Sequence, residues 1–259
     1  MRTVLTIAGS DSGGGAGLQA DLKTFAAHGV FGLTAVTAVT VQNTLGVSTV
    51  FPLPAPLVAA QIDAVLEDFG AAGTKIGMLA NGAIVRAVAD AIGRRRLQNV
   101  VLDTVLVAKD GTPLLDEEGV AVLAAELIPL ATIVTPNIPE AARLSGQSIR
   151  TVGDMRTAAR RLLQLGAHAV VVKGGHLKGP AIDVLDDGRT VTELHADRQA
   201  GVHTHGTGCT FSAAIAAGLA TGADLATAVA HAKAFVTRAI AQAPGLGRGQ
   251  GPIESFPRG

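Results

Sequence analysis

The sequence predicts an α/β fold with a mostly parallel central sheet and helices on both faces. Two observations carry that prediction. Short apolar, strand-like runs alternate with amphipathic or alanine-rich runs along the chain, and repeated βα alternation builds a parallel sheet. Aromatic residues are also scarce, with no Trp or Tyr, while 48% of the 259 residues are apolar. The core must therefore be Val, Leu, Ile and Ala, the composition of a buried parallel sheet.

Taken in order, Thr3–Ala8 reads as a buried strand and Ala16–His28 as a helix ended by Gly29. Thr34–Gln42 and Val47–Phe51 read as strands flanking an Asn43-Thr44-Leu45-Gly46 turn. Leu57–Phe69 has apolar residues at helical spacing. Thr74–Gly77 is a short strand, Ala83–Arg95 a helix, and Asn99–Leu102 a strand running into Asp103. Glu117–Leu127 reads as helix, Thr132–Thr135 as strand, and Asn137–Leu144 as a short helix. Gly153–Leu165 is a helix and Ala169–Lys173 a strand. Ile182–Leu185 and Thr190–Leu194 flank Asp186-Asp187-Gly188-Arg189 as a hairpin. Gly208–Ala220 and Leu225–Ala241 are the closing helices. With no internal repeat and no long linker, residues 1–259 read as a single domain.

Composition excludes several classes of function. Acidic and basic residues balance at 21 each, so nothing favours a nucleic-acid or membrane partner. A single cysteine rules out an internal disulfide and suits a reducing cytoplasm. The uncharged stretch from Phe31 to Ile62 is broken by prolines, Gln42 and Asn43, which argues against a membrane span. No signal peptide is expected.

Ligands of such sheets bind beyond the carboxyl ends of the strands, and five segments there carry chemistry. His205-Gly206-Thr207-Gly208-Cys209-Thr210 places the lone cysteine where a glycine turn opens a helix. A helix start offers free N–H groups to an anion, and the same field is expected to lower a thiol's pKa. Gly9–Gly17 follows a strand, and it is either a tight turn using glycine's freedom or a backbone cradle for a ligand. Its match to the dinucleotide fingerprint lacks the ribose-binding acid, and no phosphate-binding P-loop exists. Gln42-Asn43 ends a strand, where an amide suits the edge of a heterocycle and Asn43 suits a turn. Asp103, and Glu140 after Asn137, offer carboxylates for Mg²⁺. Asn137 and Glu140 also fit a helix cap. No His or Cys spacing suits a transition metal, and no G-x-S-x-G elbow suits a serine hydrolase.

Residues Thr6–Lys23, Thr40–Val47, Lys75–Leu79, Val101–Lys109, Thr135–Ala141, Val172–His176 and Thr204–Thr210 together resemble one family across nearly the whole chain. It is that of the bacterial hydroxymethylpyrimidine/phosphomethylpyrimidine kinases of thiamine biosynthesis, within the ribokinase-like superfamily. The resemblance implies a ribokinase-like three-layer αβα fold. It also implies two ATP- and Mg²⁺-dependent steps, in which the pyrimidine alcohol is phosphorylated and its monophosphate then converted to the diphosphate. By that resemblance Gln42 contacts the pyrimidine, and Gly9, Asp21 and Met78 line its pocket. Gly206, Thr207 and Gly208 form an anion hole, and Cys209 stands where most of the superfamily has a catalytic aspartate. Lys173, Asn137 and Thr207 fall on the nucleotide, with Asp103 and Glu140 on Mg²⁺, directly or through water.

Relatives of this kind are often homodimers. Departures occur at Val202-His203 and at Arg248 and Gln250 in the tail. The alternatives are a pyridoxal kinase, disfavoured by the Gln42-Asn43 pair, and a non-catalytic small-molecule sensor on this fold, disfavoured by the intact cysteine loop. A nicotinamide-dependent dehydrogenase is the third, undercut by the missing ribose acid.

Overall fold

The computed structural model describes residues 1–108, 110–199, 201 and 203–257. Lys109 of the matched segment and Val202 of the departing pair lie outside the described residues. Among the described residues nine strands form one sheet: β1 (Thr3–Asp11), β2 (Phe31–Asn43), β3 (Gly46–Pro52), β4 (Gly73–Ile76), β5 (Val100–Leu102), β6 (Ile133–Val134), β7 (Val170–Val172), β8 (Ala181–Asp186) and β9 (Val191–Ala196). Their order is β3-β2-β1-β4-β5-β6-β7-β8-β9. The six strands from β2 to β7 run parallel. β3 closes one edge antiparallel, and the β8–β9 hairpin closes the other.

Eight α-helices of the described residues cover the sheet: α1 (Gly17–Ala27), α2 (Ala55–Asp68), α3 (Gly82–Arg95), α4 (Glu117–Val122), α5 (Ile138–Ser145), α6 (Val152–Gln164), α7 (Thr207–Ala220) and α8 (Leu225–Ala241). Side chains alternate across the strands. Leu5, Ile7, Val100, Leu102, Val170 and Val172 face the layer of α2 to α6. Val4, Val101, Ile133 and Val171 face α1, α7 and α8. The result is three layers, with an aliphatic core on each side of the sheet. No helix among the described residues is long and apolar enough to cross a membrane.

The expected helix Glu117–Leu127 is only partly regular. It is α-helical to Val122, widens into a π turn over Leu123–Leu127, and tightens into a 3₁₀ turn over Ile128–Leu130. Pro129 explains the break, because its ring lacks an N–H and crowds the carbonyl four residues back.

Helix starts follow local chemistry. Asn81, Asp116, Asn137, Thr151 and Asp224 each accept a hydrogen bond from the first turn of the helix they precede. The N-terminal N–H groups of α1 and α7 receive no such side-chain cap, since these helices follow Ala16 and Gly206. Those two bare helix ends lie at the edge of the sheet where β1, β4, β5 and β7 end.

Leu102 is fully buried at the centre of the sheet. Replacing it with Ala is expected to cost about 2–5 kcal/mol in urea unfolding, and replacing it with Met less than about 1.5 kcal/mol.

Candidate active site

The site begins at the first turn of α7. Gly206 precedes it at φ 81°, a left-handed conformation that glycine adopts freely. A side chain there would overlap the carbonyl oxygen of Gly15, so the two glycine loops touch backbone to backbone. Asp11 organises the first of them. Its Oδ1 accepts from the Gly13 N–H at 2.8 Å, and its Oδ2 from Gly15 at 3.1 Å and Ala16 at 2.9 Å. His205 Nε2 adds a fourth bond to Oδ2 at 2.9 Å. Burial pushes the Asp11 carboxyl upward, but the His205 and backbone N–H bonds outweigh it and hold the carboxyl below its usual range. The loop is thus a turn folded around a carboxylate. Gly14 and Gly17 supply its positive φ angles, and a side chain at Gly17 would overlap the Gly9 carbonyl.

Beneath α7 lie two buried ion pairs. Lys75 Nζ donates to Asp21 Oδ2 at 2.8 Å, and neither side chain is exposed. Thr6 donates to the same oxygen. Burial alone would lower the Lys75 ammonium, yet Asp21, Cys209 and Asp103 together raise it. Burial pushes Asp21 up against the pull of Lys75. Asp21, expected to line a substrate pocket, is therefore withdrawn from solvent and serves as the counter-ion of Lys75. The second pair is Lys173 Nζ on Asp103 Oδ1 at 2.9 Å. Burial pushes Asp103 up, but Lys173 and Lys75 outweigh it and lower its pKa. Glu140 moves the other way, raised by burial against the pull of Lys173 and further by the Asp103 charge. A side chain at Gly208 would lie 3.2 Å from Lys173 Nζ, so the bare helix turn rests on this pair.

Cys209 follows at once. The expected low thiol pKa is not found, because burial pushes it up to about 11. The Lys75 charge opposes that rise, Asp21 and Asp103 reinforce it, and a bond from the Gly17 N–H lowers it slightly. Taking sulfur out of water outweighs the helix start, and Cys209 rests as a thiol.

A cavity of about 790 Å³ opens beside this turn, and Thr207, Gly208, Lys173, Asn137 and Glu140 all line it. The expected nucleotide-side residues thus share one space. Gly9 and Met78 meet elsewhere, where a side chain at Gly9 would come 3.0 Å from Met78 Sδ. Gln42 lies 3.3 Å from His205 and 3.2 Å from Thr40. It lines a second cavity of about 410 Å³ at the β2–β3 hairpin.

For Mg²⁺, the donors fit a water-mediated site. No group of three His, Cys, Asp or Glu able to hold a metal occurs among the described residues. Asp103 Oδ1 is engaged by Lys173 and Thr135, and its Oδ2 lies 3.4 Å from Ser212 Oγ. Glu140 lines the cavity, with Oε2 engaged by Asn137 N–H and Thr104 in the capping box of α5. Magnesium usually keeps several waters and binds through one or two carboxylates plus phosphates.

Sequence reasoning assigned no role to Lys75, Asp11 or the Asp183–Lys233 pair. Lys233 donates to Asp183 Oδ2 at 2.8 Å, while Asp183 Oδ1 holds the Gly174 N–H next to Lys173. Lys75 had a usable signal, a lone charge inside an apolar strand. Asp11 had another, an Asp opening a glycine run, where its carboxylate can collect backbone N–H groups. The tail departure also has a place. The Gly249 and Gln250 N–H groups bond Thr44 at the hairpin turn, and Gly251 N–H bonds His203 Nδ1.

A family model described as phosphomethylpyrimidine kinase matches residues 11–254. A hydroxymethylpyrimidine/phosphomethylpyrimidine kinase of Haemophilus influenzae is 49% identical over 262 residues, covering 99% of this chain and 97% of the relative. The thiamine biosynthesis bifunctional protein ThiED of Geobacter sulfurreducens is 50% identical over 97% of this chain, which spans 51% of that longer protein. Among solved structures, the ADP complex of Bacillus subtilis pyridoxal kinase superposes with a TM-score of 0.92 at 42% identity, covering 98% of this chain and 97% of that one.

Asp11→Ala is expected to destabilise the protein by about 1–3 kcal/mol at pH 7, because buried N–H groups lose their acceptor. Asp11 has a depressed pKa in the fold, so its contribution is full above the unfolded value of 3.8 and fades as pH falls through the folded value. Chemical unfolding of both proteins should show a constant difference from pH 6 to 7 that shrinks below pH 3.8.

Proposed function

Because the chain belongs to the phosphomethylpyrimidine kinase family, we propose that it uses ATP to phosphorylate 4-amino-5-hydroxymethyl-2-methylpyrimidine and then its monophosphate, in thiamine biosynthesis. Its fold is the ribokinase-like α/β arrangement. One observation supports the chemistry above others: the bare N-terminus of α7 opens, beside Lys173, onto a cavity large enough for a nucleotide.

Phosphoryl transfer relies on positioning and on stabilising charge at the transferred group. In this reading Lys173, Asn137 and Thr207 hold the ATP phosphates, and the Gly206–Gly208 turn receives the moving phosphoryl group. Mg²⁺, when bound, would neutralise charge on the β and γ phosphate oxygens, with Glu140 holding it through water. Gln42, Gly9 and Met78 hold the pyrimidine, while Asp21 acts at one remove by fixing Lys75.

In the first step the nucleophile is an alcohol. Once Cys209 has released its proton to solvent water, its thiolate accepts the alcohol proton as oxygen bonds to the γ phosphorus and ADP leaves. In the second step the nucleophile is a phosphate ester whose second pKa is about 6, so no base is required.

Four accompanying features belong to the same proposal. The chain acts as one domain, in line with its single sheet. It is a homodimer, with the exposed Val39, Val41 and Phe51 of the β2–β3 edge as an apolar surface for a second copy. It works in the cytoplasm, in line with its one free cysteine. It has no nucleic-acid or membrane partner, in line with its zero net charge.

A coupled ADP-release assay with the pyrimidine alcohol, its monophosphate and pyridoxal tests the reading. Both pyrimidines should exceed pyridoxal in kcat/KM, and a preference for pyridoxal would make the chain a pyridoxal kinase. Cys209→Ala should cut the first phosphorylation by about 10²-fold or more and leave the second within a few-fold. Equal losses would remove Cys209 as proton acceptor.

The pH profile gives a separate check. With a thiol near 11, the thiolate fraction grows about tenfold per pH unit below that value. The first-step rate should therefore climb from pH 7 to 9 without a plateau, while the second-step rate stays flat. A plateau in the first step near pH 7 would contradict the raised thiol.

A further inference from the structure

The Gln42 carboxamide is flanked by two side chains whose hydrogens are already committed. His205 Nε2 lies 2.9 Å from Asp11 Oδ2. Asp11 also accepts three backbone N–H bonds, so it is an ionised acceptor and His205 Nε2 must carry the proton it receives. Thr40 Oγ1 lies 2.9 Å from the Ser10 carbonyl, and a carbonyl only accepts, so the one hydroxyl hydrogen of Thr40 points there. Toward Gln42, His205 therefore presents no lone pair, only the N–H it gives to Asp11, which a second acceptor can share, and Thr40 presents lone pairs.

With the amide nitrogen toward His205, at 3.3 Å, two donors would face each other. Two acceptors would likewise meet on the Thr40 side, at 3.2 Å. Turning the amide end over end satisfies both flanks at once. The oxygen then accepts from His205, and the nitrogen donates to Thr40. The outer edge keeps one acceptor lone pair on the His205 side and one N–H on the Thr40 side.

We propose that His205 and Thr40 are positioning residues for substrate specificity, locking the Gln42 amide so that its outer edge takes an amine proton at oxygen and gives a proton to a ring nitrogen. This rests on the reading that Gln42 meets the substrate ring. A 4-aminopyrimidine carries an exocyclic amine beside a ring nitrogen, a donor next to an acceptor, and matches that edge at both atoms. Pyridoxal presents a phenolate oxygen beside an aldehyde. Both are acceptors, and the Gln42 oxygen is left without a donor. A site built to bond a polar group rejects an analogue lacking it, because its own polar atom is then stranded. An unlocked amide turns over and suits either pattern, so the lock confers discrimination that Gln42 alone lacks.

The test compares kcat/KM for the pyrimidine alcohol and for pyridoxal in the native chain, Thr40→Val and Thr40→Ser. Where pyridoxal turns over too slowly, its inhibition constant against the pyrimidine replaces kcat/KM. Thr40→Val should lower kcat/KM for the pyrimidine about tenfold, roughly one hydrogen bond, mainly through KM. Pyridoxal should change less than about threefold, and the KM for ATP should hold. Thr40→Ser, which keeps the hydroxyl, should restore the native ratio. Thermal unfolding establishes that each variant folds, and Thr40→Ala stands in for Thr40→Val if the latter does not. An unchanged substrate ratio in folded Thr40→Val, or equal losses on both substrates, overturns the lock. A native chain inactive on the pyrimidine overturns the functional reading instead, and the two failures are told apart by the native control.

Discussion

The bond between Asp11 and His205 joins residues 194 positions apart, and the candidate site depends on it. Asp11 folds the first glycine loop around its carboxylate, and His205 stands immediately before the helix start at Gly206. Holding one to the other brings the bare ends of α1 and α7 together until only backbone fits between Gly15 and Gly206. Two helix N-termini then share one region of positive potential. The same histidine touches Gln42, so the element that closes the anion loop also shapes the edge expected to read the substrate.

Below that junction the protein buries charge, and burial on this scale is tolerable only when the charges are paired and hydrogen-bonded. Lys75 pairs with Asp21, although Asp21 Oδ1 is left without a hydrogen-bond partner, and Lys173 pairs with Asp103 while its charge also pulls on Glu140. Replacing one partner alone would leave an uncompensated ion, whereas the intact set fixes the electrostatic setting of Cys209. That setting is finely opposed. Desolvation raises the thiol, Lys75 pulls it down, and the neighbouring carboxylates push it up again. A thiol kept protonated at rest is a poor nucleophile, which protects a reactive side chain beside a phosphate donor until the proton has somewhere to go.

The architecture was legible because its signals are local and repeated. Every expected strand and helix is present, with boundaries shifted by a few residues, and the one irregular helix breaks at Pro129. The grouping of Asp103, Asn137 and Lys173 was also legible, since parallel strands deliver their carboxyl ends to one edge and all three follow strands. Asp21 and Cys209 were not. Whether a carboxylate lines a pocket or pairs under it depends on Lys75, 54 residues away, and no local pattern records that pairing. The thiol's ionisation likewise balances a local field against burial set by distant elements. The tie between Asp11 and His205 was hidden for the same reason, although the Asp–glycine run hinted at the carboxylate's local bonds.

The central claim is that the first turn of α7 receives the transferred phosphoryl group beside Cys209. A crystal structure with a non-hydrolysable ATP analogue and the pyrimidine alcohol measures this directly. The account predicts γ-phosphate oxygens within about 3 Å of the Thr207 and Gly208 N–H groups, with the hydroxymethyl oxygen between that phosphate and Cys209 Sγ. A γ-phosphate bound away from this turn, or a hydroxymethyl group directed away from Cys209, would contradict it.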